Sequence, residues 1–342
     1  KLFEGIAEAN SILDKIVSTE EAALKIRAEV ETIRSLYYFW LFDNYGDVPY
    51  LTTYFSAPEQ PFRNKRADIF DSLTTTLEKN YQLLNSIENP TYKNYASKEM
   101  ALALLAKLYL NGSVYTGSAN NAYYEKTIQY CNELLSMGYL TLEDDVMNLF
   151  RVATSGQSPE MIYSVPFEET SKKGFRLHMR SLGYISKRTF NMTDQPWNGF
   201  AVIPTFFAKY EESDVRRDGY FLFGPQFDYQ GAPIIDEKSG KQAVFNPNIR
   251  IPEMTTANMQ IDGIESFNMT FDGARVKKYE IYASAKENLT VNFPVFRLAD
   301  VVFMKAEAEL RLNGSVSSET MTYVNKIWSR ANQTPPAEGL TL

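Results

Sequence analysis

Cys131 and His178 are the only cysteine and the only histidine among 342 residues, and that scarcity removes several chemistries at once. A disulfide framework needs paired cysteines, a structural zinc site about four His or Cys ligands, and the HExxH zinc motif two histidines. His178 titrates in the range of a general base and can contact a ligand. No GxSxG or cysteine-elbow nucleophile accompanies it, and a hydrogen-bonded or surface imidazole is the better reading. Cys131 sits between Tyr130 and Leu134 in an apolar helical pattern, as a small buried hydrophobe does. Asp144-Asp145, Glu168-Glu169 and Glu211-Glu212 supply carboxylates, but glycoside hydrolysis needs two facing each other across a bond, and neighbouring acids usually form a solvated face. Gly240-Lys241 lacks the rest of a phosphate loop, and GxGxxG is absent. The sequence therefore offers no catalytic set, no metal ligands and no cofactor motif.

Binding is a different matter. In Asp194-Gln195-Pro196-Trp197-Asn198-Gly199, Pro and Gly mark a loop that presents an indole among hydrogen-bonding amides. A ring that stacks on C–H faces, beside carboxamides that pair with hydroxyls, is what a sugar requires. The competing reading has Trp197 capping the core beneath a long loop, and composition leaves the two level. Trp40 and Trp328 lie in apolar helical stretches and are expected in the core. Twenty-two Tyr and 22 Phe supply further ring surface, most of it for packing.

The elements that must position these residues follow from periodicity. Apolar residues recur at helical spacing over Phe3–Ile16. Ser18 and Glu21 read as a capping box for a second helix reaching about Asn44, with Gly46 as its C-cap and an extended exit through Pro49. Leu36 to Phe42 is wholly apolar or aromatic and is expected to be buried all round. Helical patterns return over Ala67–Leu84, after Ser97, and over Asn121–Met137. From about Ser155 to Asn292, prolines from Pro159 to Pro252 punctuate short extended pieces, with one short helix over Pro204–Tyr210. So much irregular chain marks a functional surface. Helices resume over Phe296–Leu312 and Glu319–Ala331, with Lys305–Glu309 and Glu307–Arg311 as i,i+4 pairs expected on the wet sides.

Ala101–Val114 (ALALLAKLYLNGSV) and Phe303–Val316 (FMKAEAELRLNGSV) form an internal repeat. Each precedes a second amphipathic helix, and small residues such as Ala106 and Ala308 let two helices approach closely. The pattern is tetratricopeptide-like, interrupted by the irregular block. Asn-x-Ser/Thr occurs at Asn111, Asn191, Asn268, Asn288, Asn313 and Asn332; two of these end the repeat helices, and all are read as structural. With 35 basic against 42 acidic residues, a net charge of −7 and no segregated basic patch, nucleic acid is excluded as an expected partner. No apolar run is long enough to span a bilayer.

The residues that carry a resemblance run through the whole chain: Ala28-Glu29-Val30, Ile33 to Phe39, Tyr45-Gly46-Asp47-Val48-Pro49, Ala101 to Gly112, Pro159 to Ser164, Gln195 to Gly199, Asp214-Arg216-Arg217, Phe296 to Asp300 and Lys305 to Ala308. In these the sequence resembles the SusD-like (SusD/RagB) glycan-binding lipoproteins of the Bacteroidetes outer membrane. The resemblance implies a mostly α fold, with four tetratricopeptide-like helix pairs packed against a long irregular, loop-rich half with short strands. It implies one SusD-like domain over 1–342, the scaffold being 1–150 and 293–331 and the ligand-binding region 151–292. It also implies non-catalytic capture of an oligosaccharide or polysaccharide at the cell surface. Delivery would be to a SusC-like TonB-dependent transporter, with an N-terminal lipid as the only membrane attachment. Against the family pattern, the signal peptide, lipidated cysteine, first segment and C-terminal part are missing, and the starch-binding member keeps part of its sugar site in that first segment. Carried over by motif, Trp197 is the stacking tryptophan and Asn198 its polar neighbour. Phe175, His178 and Tyr184 are candidates for a second ring, and Arg176 and Arg180 for hydroxyl contacts. The alternatives are peptide capture, as in the RagB branch, with a RagA-like transporter, and a helical scaffold without a small ligand.

Overall fold

The computed structural model describes residues 1–56, 60–237, 240–248, 271–335 and 340; Pro252 and Asn268 lie outside the described residues. In chain order the elements are α1 (Leu2–Lys15), α2 (Glu21–Tyr45), β1 (Val48–Pro49), β2 (Arg63–Asn64), α3 (Arg66–Asn80), α4 (Lys98–Leu110), α5 (Gly112–Thr116) and α6 (Asn121–Leu135). Then come β3 (Met161–Phe167), α7 (Leu177–Ser181), α8 (Ser186–Thr189), α9 (Pro204–Phe207) and α10 (Val215–Tyr220). The remainder comprises β4 (Phe221–Leu222), β5 (Gly224–Pro225), β6 (Val244–Phe245), β7 (Arg275–Val276), β8 (Val291–Arg297), α11 (Leu298–Asn313) and α12 (Ser318–Ser329).

Helices stack in the order α1, α2, α3, α4, α6, α11, α12, each against the next. Helix α4 is apolar on all faces because it lies inside this stack: Met100 to Ala106 are without exposure, and Ser97 caps the helix by accepting from the Met100 N–H at 3.1 Å. Each large apolar side chain buried there stabilises the fold by ~1.5–3 kcal/mol. The buried Glu99 and the partly buried Glu78 are furnished with donors. Glu99 accepts from Tyr139 Oη (2.6 Å), Ser86 Oγ (2.7 Å) and the Ile87 N–H (3.0 Å). Glu78 accepts from Tyr109 and Tyr130, which burial and this carboxylate together hold well above the usual phenol range.

Several expectations are corrected. The Ser18–Glu21 box does not form: Ser18 Oγ accepts from Glu20, and Glu20 precedes α2 without a side-chain cap. Tyr37 and Trp40 are only partly covered. Phe296 pairs with Tyr163 in a strand, so α11 begins at Leu298. Lys305 and Glu309 are buried, because α6 and α12 cover that face; Glu309 accepts from the Ser317 N–H (2.9 Å) and Thr320 Oγ1 (3.0 Å), tying α11 to the start of α12. Glu307–Arg311 is exposed, as the spacing implies. The repeat's identical Leu-Asn-Gly-Ser-Val ends also diverge. Gly314 ends α11 in the left-handed conformation (φ 73°), whereas Gly112 starts α5, packed so tightly that a Cβ would stand 2.7 Å from the Tyr123 ring.

β3 and β8 form an antiparallel pair from Met161↔Arg297 to Phe167↔Val291. This pair closes the base of the irregular block, which therefore leaves the stack after α6 and returns to it through β8 into α11. Inside the block, two-residue strands pair β4 with β7 and β5 with β6 around small clusters such as Val202, Phe207, Phe221 and Ala274.

Candidate binding site

Helix α7 is too short to satisfy its own carbonyls, and the Pro196 loop supplies donors to them. The N–H groups of Trp197, Asn198 and Gly199 donate to the carbonyls of Met179 (2.6 Å), Leu182 (3.0 Å) and Arg180 (2.8 Å). Asn198 adopts φ 55°, which asparagine tolerates. A Cβ on Gly199 would come within 2.9 Å of the Arg180 carbonyl oxygen, so the close seat requires glycine. The result is a rigidly mounted indole, 42% exposed.

A second loop repeats this design. Asp228 Oδ1 accepts from the N–H groups of Gln230 (3.0 Å) and Ala232 (2.9 Å), closing a turn around Tyr229, whose own N–H donates to the Arg188 carbonyl at the end of α8 (3.0 Å). Tyr229 is 60% exposed. Tyr184, in the link between α7 and α8, is exposed as well, and so is Phe200 just past the Trp197 loop. Trp197, Tyr184 and Tyr229 are thus carried by one α7–α8 unit. Arg180 stands exposed on it, with no ion pair among the described residues. Asn198 Oδ1 is buried near Gly183 without a donor among the described residues.

The structure brings together Trp197, Asn198, Tyr184 and Arg180, but not Phe175 and His178. Phe175 packs at 4.6 Å against Tyr279 in a buried cluster. His178 is buried, its Nε2 donating to the Lys286 carbonyl (2.8 Å), and burial lowers its pKa so that the neutral ring is favoured. Both are corrected to packing roles: Phe175 is buried in the chain leading into α7 and His178 on the inner side of that helix, while Arg180 faces out. Arg176 is engaged by Glu287 at 3.0 Å and by Asn288. Sequence reasoning missed Tyr229, although Asp-Tyr-Gln-Gly carries the same signal as the Trp197 loop: an aromatic ring inside a turn tetrad. No group of three or more His, Cys, Asp or Glu residues suited to a metal ion occurs among the described residues.

The fold is a stack of paired helices with a large loop-built insertion that mounts exposed rings, and comparison with known proteins identifies the family. Residues 159–338 match the SusD family profile, and residues 1–110 match one described as "Starch-binding associating with outer membrane". The chain belongs to the SusD family. Among its relatives are SusD-like protein P25 of Formosa agariphila, 24% identical over 340 residues, and the starch-binding protein SusD of Bacteroides thetaiotaomicron, 23% identical over 377 residues. These alignments take in 96% and 100% of this chain but 61% and 64% of the relatives, so the chain spans less than two thirds of either. The fold matches a SusD superfamily protein from Parabacteroides distasonis with TM-score 0.75 and 22% identity, over 98% of this chain and 66% of that one. It also matches surface glycan-binding protein A of Bacteroides thetaiotaomicron in complex with laminarihexaose, with TM-score 0.71 and 18% identity, over 96% and 67%.

Proposed function

We propose that the protein binds oligosaccharide or polysaccharide without catalysis, at residues Trp197, Asn198, Tyr184 and Arg180, with Tyr229 as an added ring. The observation that carries this reading is the α7–α8 unit, which fixes three exposed aromatic rings on loops anchored by backbone hydrogen bonds. Exposed rings held rigidly lose little entropy when a sugar stacks on them. Each platform contributes ~0.5–1.5 kcal/mol beyond the area it buries, which suits micromolar to millimolar capture. Support also comes from the family match and from relatives whose names specify starch or glycan binding.

In this reading residues 1–342 act as one domain, with 151–292 as the ligand-binding region. The protein sits on the outer surface of the outer membrane through an N-terminal lipid and passes its ligand to a SusC-like TonB-dependent transporter for uptake. Titration calorimetry and affinity gels over a glycan panel test it. The expected result is saccharide binding that weakens about tenfold in Trp197→Ala, with no new reducing ends on prolonged incubation. Binding of peptide mixtures but no glycan would move the protein to the peptide-capturing branch. Full binding by Trp197→Ala would remove the assigned site, and release of reducing ends would make the protein an enzyme.

A further inference from the structure

Where the irregular block meets the scaffold there is a cleft of about 550 Å³, walled by Phe150, Tyr220, Tyr279, Phe293 and Phe303. Leu177, at the start of α7, forms part of its lining, whereas the Trp197 loop sits on carbonyls at the end of that helix. The cleft carries more cations than anions. Arg216 is paired with Asp214 (2.7 Å), and Asp300 with Lys107 (3.2 Å). The fully buried Glu160 is a single carboxylate shared by Arg297 (3.2 Å) and Arg330 (3.1 Å). Lys278 has no acidic partner among the described residues: its Nζ lies 4.4 Å from the Phe150 ring centre and 5.0 Å from that of Tyr220, and Arg297 approaches the same Phe150 ring at 5.9 Å. In a chain of net charge −7, these groups leave the cleft with an excess of two positive charges.

Burial and the neighbouring Arg297 lower the Lys278 pKa to about 8, so its charge is held at a cost that a bound anion would offset. The hydroxyls of Tyr220 and Tyr279 have no hydrogen-bond partner among the described residues, so two further donors stand open beside the cations. An isolated phosphate or sulfate would use the charge but leave the aromatic walls empty. A neutral sugar would use the walls but leave the charge.

We propose that this cleft is a second binding site, for a sugar unit bearing a carboxylate or sulfate, with Lys278 holding the anionic group and Tyr220, Tyr279 and Phe293 lining the ring. This rests on the glycan-binding reading and narrows it from glycans in general to acidic ones. The excess charge favours an acidic saccharide over a neutral one, and the ring-lined walls favour it over a bare anion.

The test is calorimetry of the full chain with oligogalacturonate, a sulfated galactan oligosaccharide, neutral counterparts of each at equal length, and hexaglutamate. At least one acidic saccharide is expected to bind about tenfold more tightly than its neutral counterpart, and which arm does so tells carboxylate from sulfate. That preference should shrink as salt is raised in the unmodified protein, a measurement independent of any variant. Lys278→Gln should abolish the preference, whereas Trp197→Ala should weaken neutral binding and leave the tighter acidic binding at the cleft in place. Equal binding of acidic and neutral saccharides would overturn the inference and leave the proposed function standing. Binding of neither would overturn both, and hexaglutamate binding as tightly as the acidic saccharides would overturn the sugar assignment.

Discussion

In the helical scaffold the buried carboxylates Glu99 and Glu309 and the partly buried Glu78 are each surrounded by donors, and the rings of Tyr38, Phe42 and Phe70 are sealed inside. In the loop-rich half, Ser155 Oγ, His178 Nδ1, Ser186 Oγ, Thr189 Oγ1, Asn198 Oδ1 and Gln226 Oε1 are buried without a protein partner, and the scaffold contributes no such atom among the described residues. Each atom of this kind costs ~1–3 kcal/mol. The loop-rich half also turns Tyr184, Trp197, Phe200 and Tyr229 outward. Unpartnered buried atoms thus gather in the loop-rich half, while exposed rings occur in both regions, the scaffold turning out Tyr45, Tyr54, Phe62 and Tyr95. The β3–β8 pair and Glu160 hold the second region to the first.

Cutting that joint should have the largest effect. Glu160→Ala leaves the largely covered Arg330 and the half-buried Arg297 without their shared carboxylate, and urea denaturation should show a loss of ~3–5 kcal/mol. Leu104→Ala, inside the stack, should cost ~2–5 kcal/mol in the same assay, with glycan affinity preserved in whatever fraction remains folded. In Gly199→Ala the added Cβ meets the Arg180 carbonyl; it should cost ~1–3 kcal/mol and reduce glycan binding together with indole order, followed by Trp197 fluorescence anisotropy.

His178 sharpens the contrast by pH. Its folded pKa is lowered below the ordinary 6.5, so its contribution to stability is present above that value and is lost as pH falls through and below it. The melting temperature should therefore decline on acidification, and His178→Gln should flatten the decline. Trp197→Ala should cost less than the core changes, ~1–2 kcal/mol, because 42% of the residue is exposed. A larger loss would mean that the ring packs instead of presenting itself.

Much of this contrast was legible in the sequence. Helices α2, α4, α6, α11 and α12 follow from apolar periodicity, and the irregular block from its prolines. The repeat's divergence was not legible, because identical Leu-Asn-Gly-Ser-Val ends meet different neighbours: Tyr123 crowds Gly112, while nothing crowds Gly314. Nor was the burial of Phe175 and His178, since Phe175 lies in irregular chain and the five-residue α7 that carries His178 is too short for periodicity to separate its faces. Trp197 was found because loop and ring coincide in adjacent residues. The cleft was missed because Phe150, Arg216, Lys278 and Arg330 are brought together only by tertiary closure.

The return of the chain through β8 into α11 also governs how the protein can vary. Closing the irregular block requires its two ends to meet in the β3–β8 pair, and the entropy of such a closure grows only with the logarithm of the enclosed length, so that doubling the block would cost ~0.6 kcal/mol. Insertions and deletions between β3 and β8 are therefore nearly free to the scaffold. The same stack of helices can carry blocks of very different size and ring arrangement, and ligand preference can change without the fold being renegotiated.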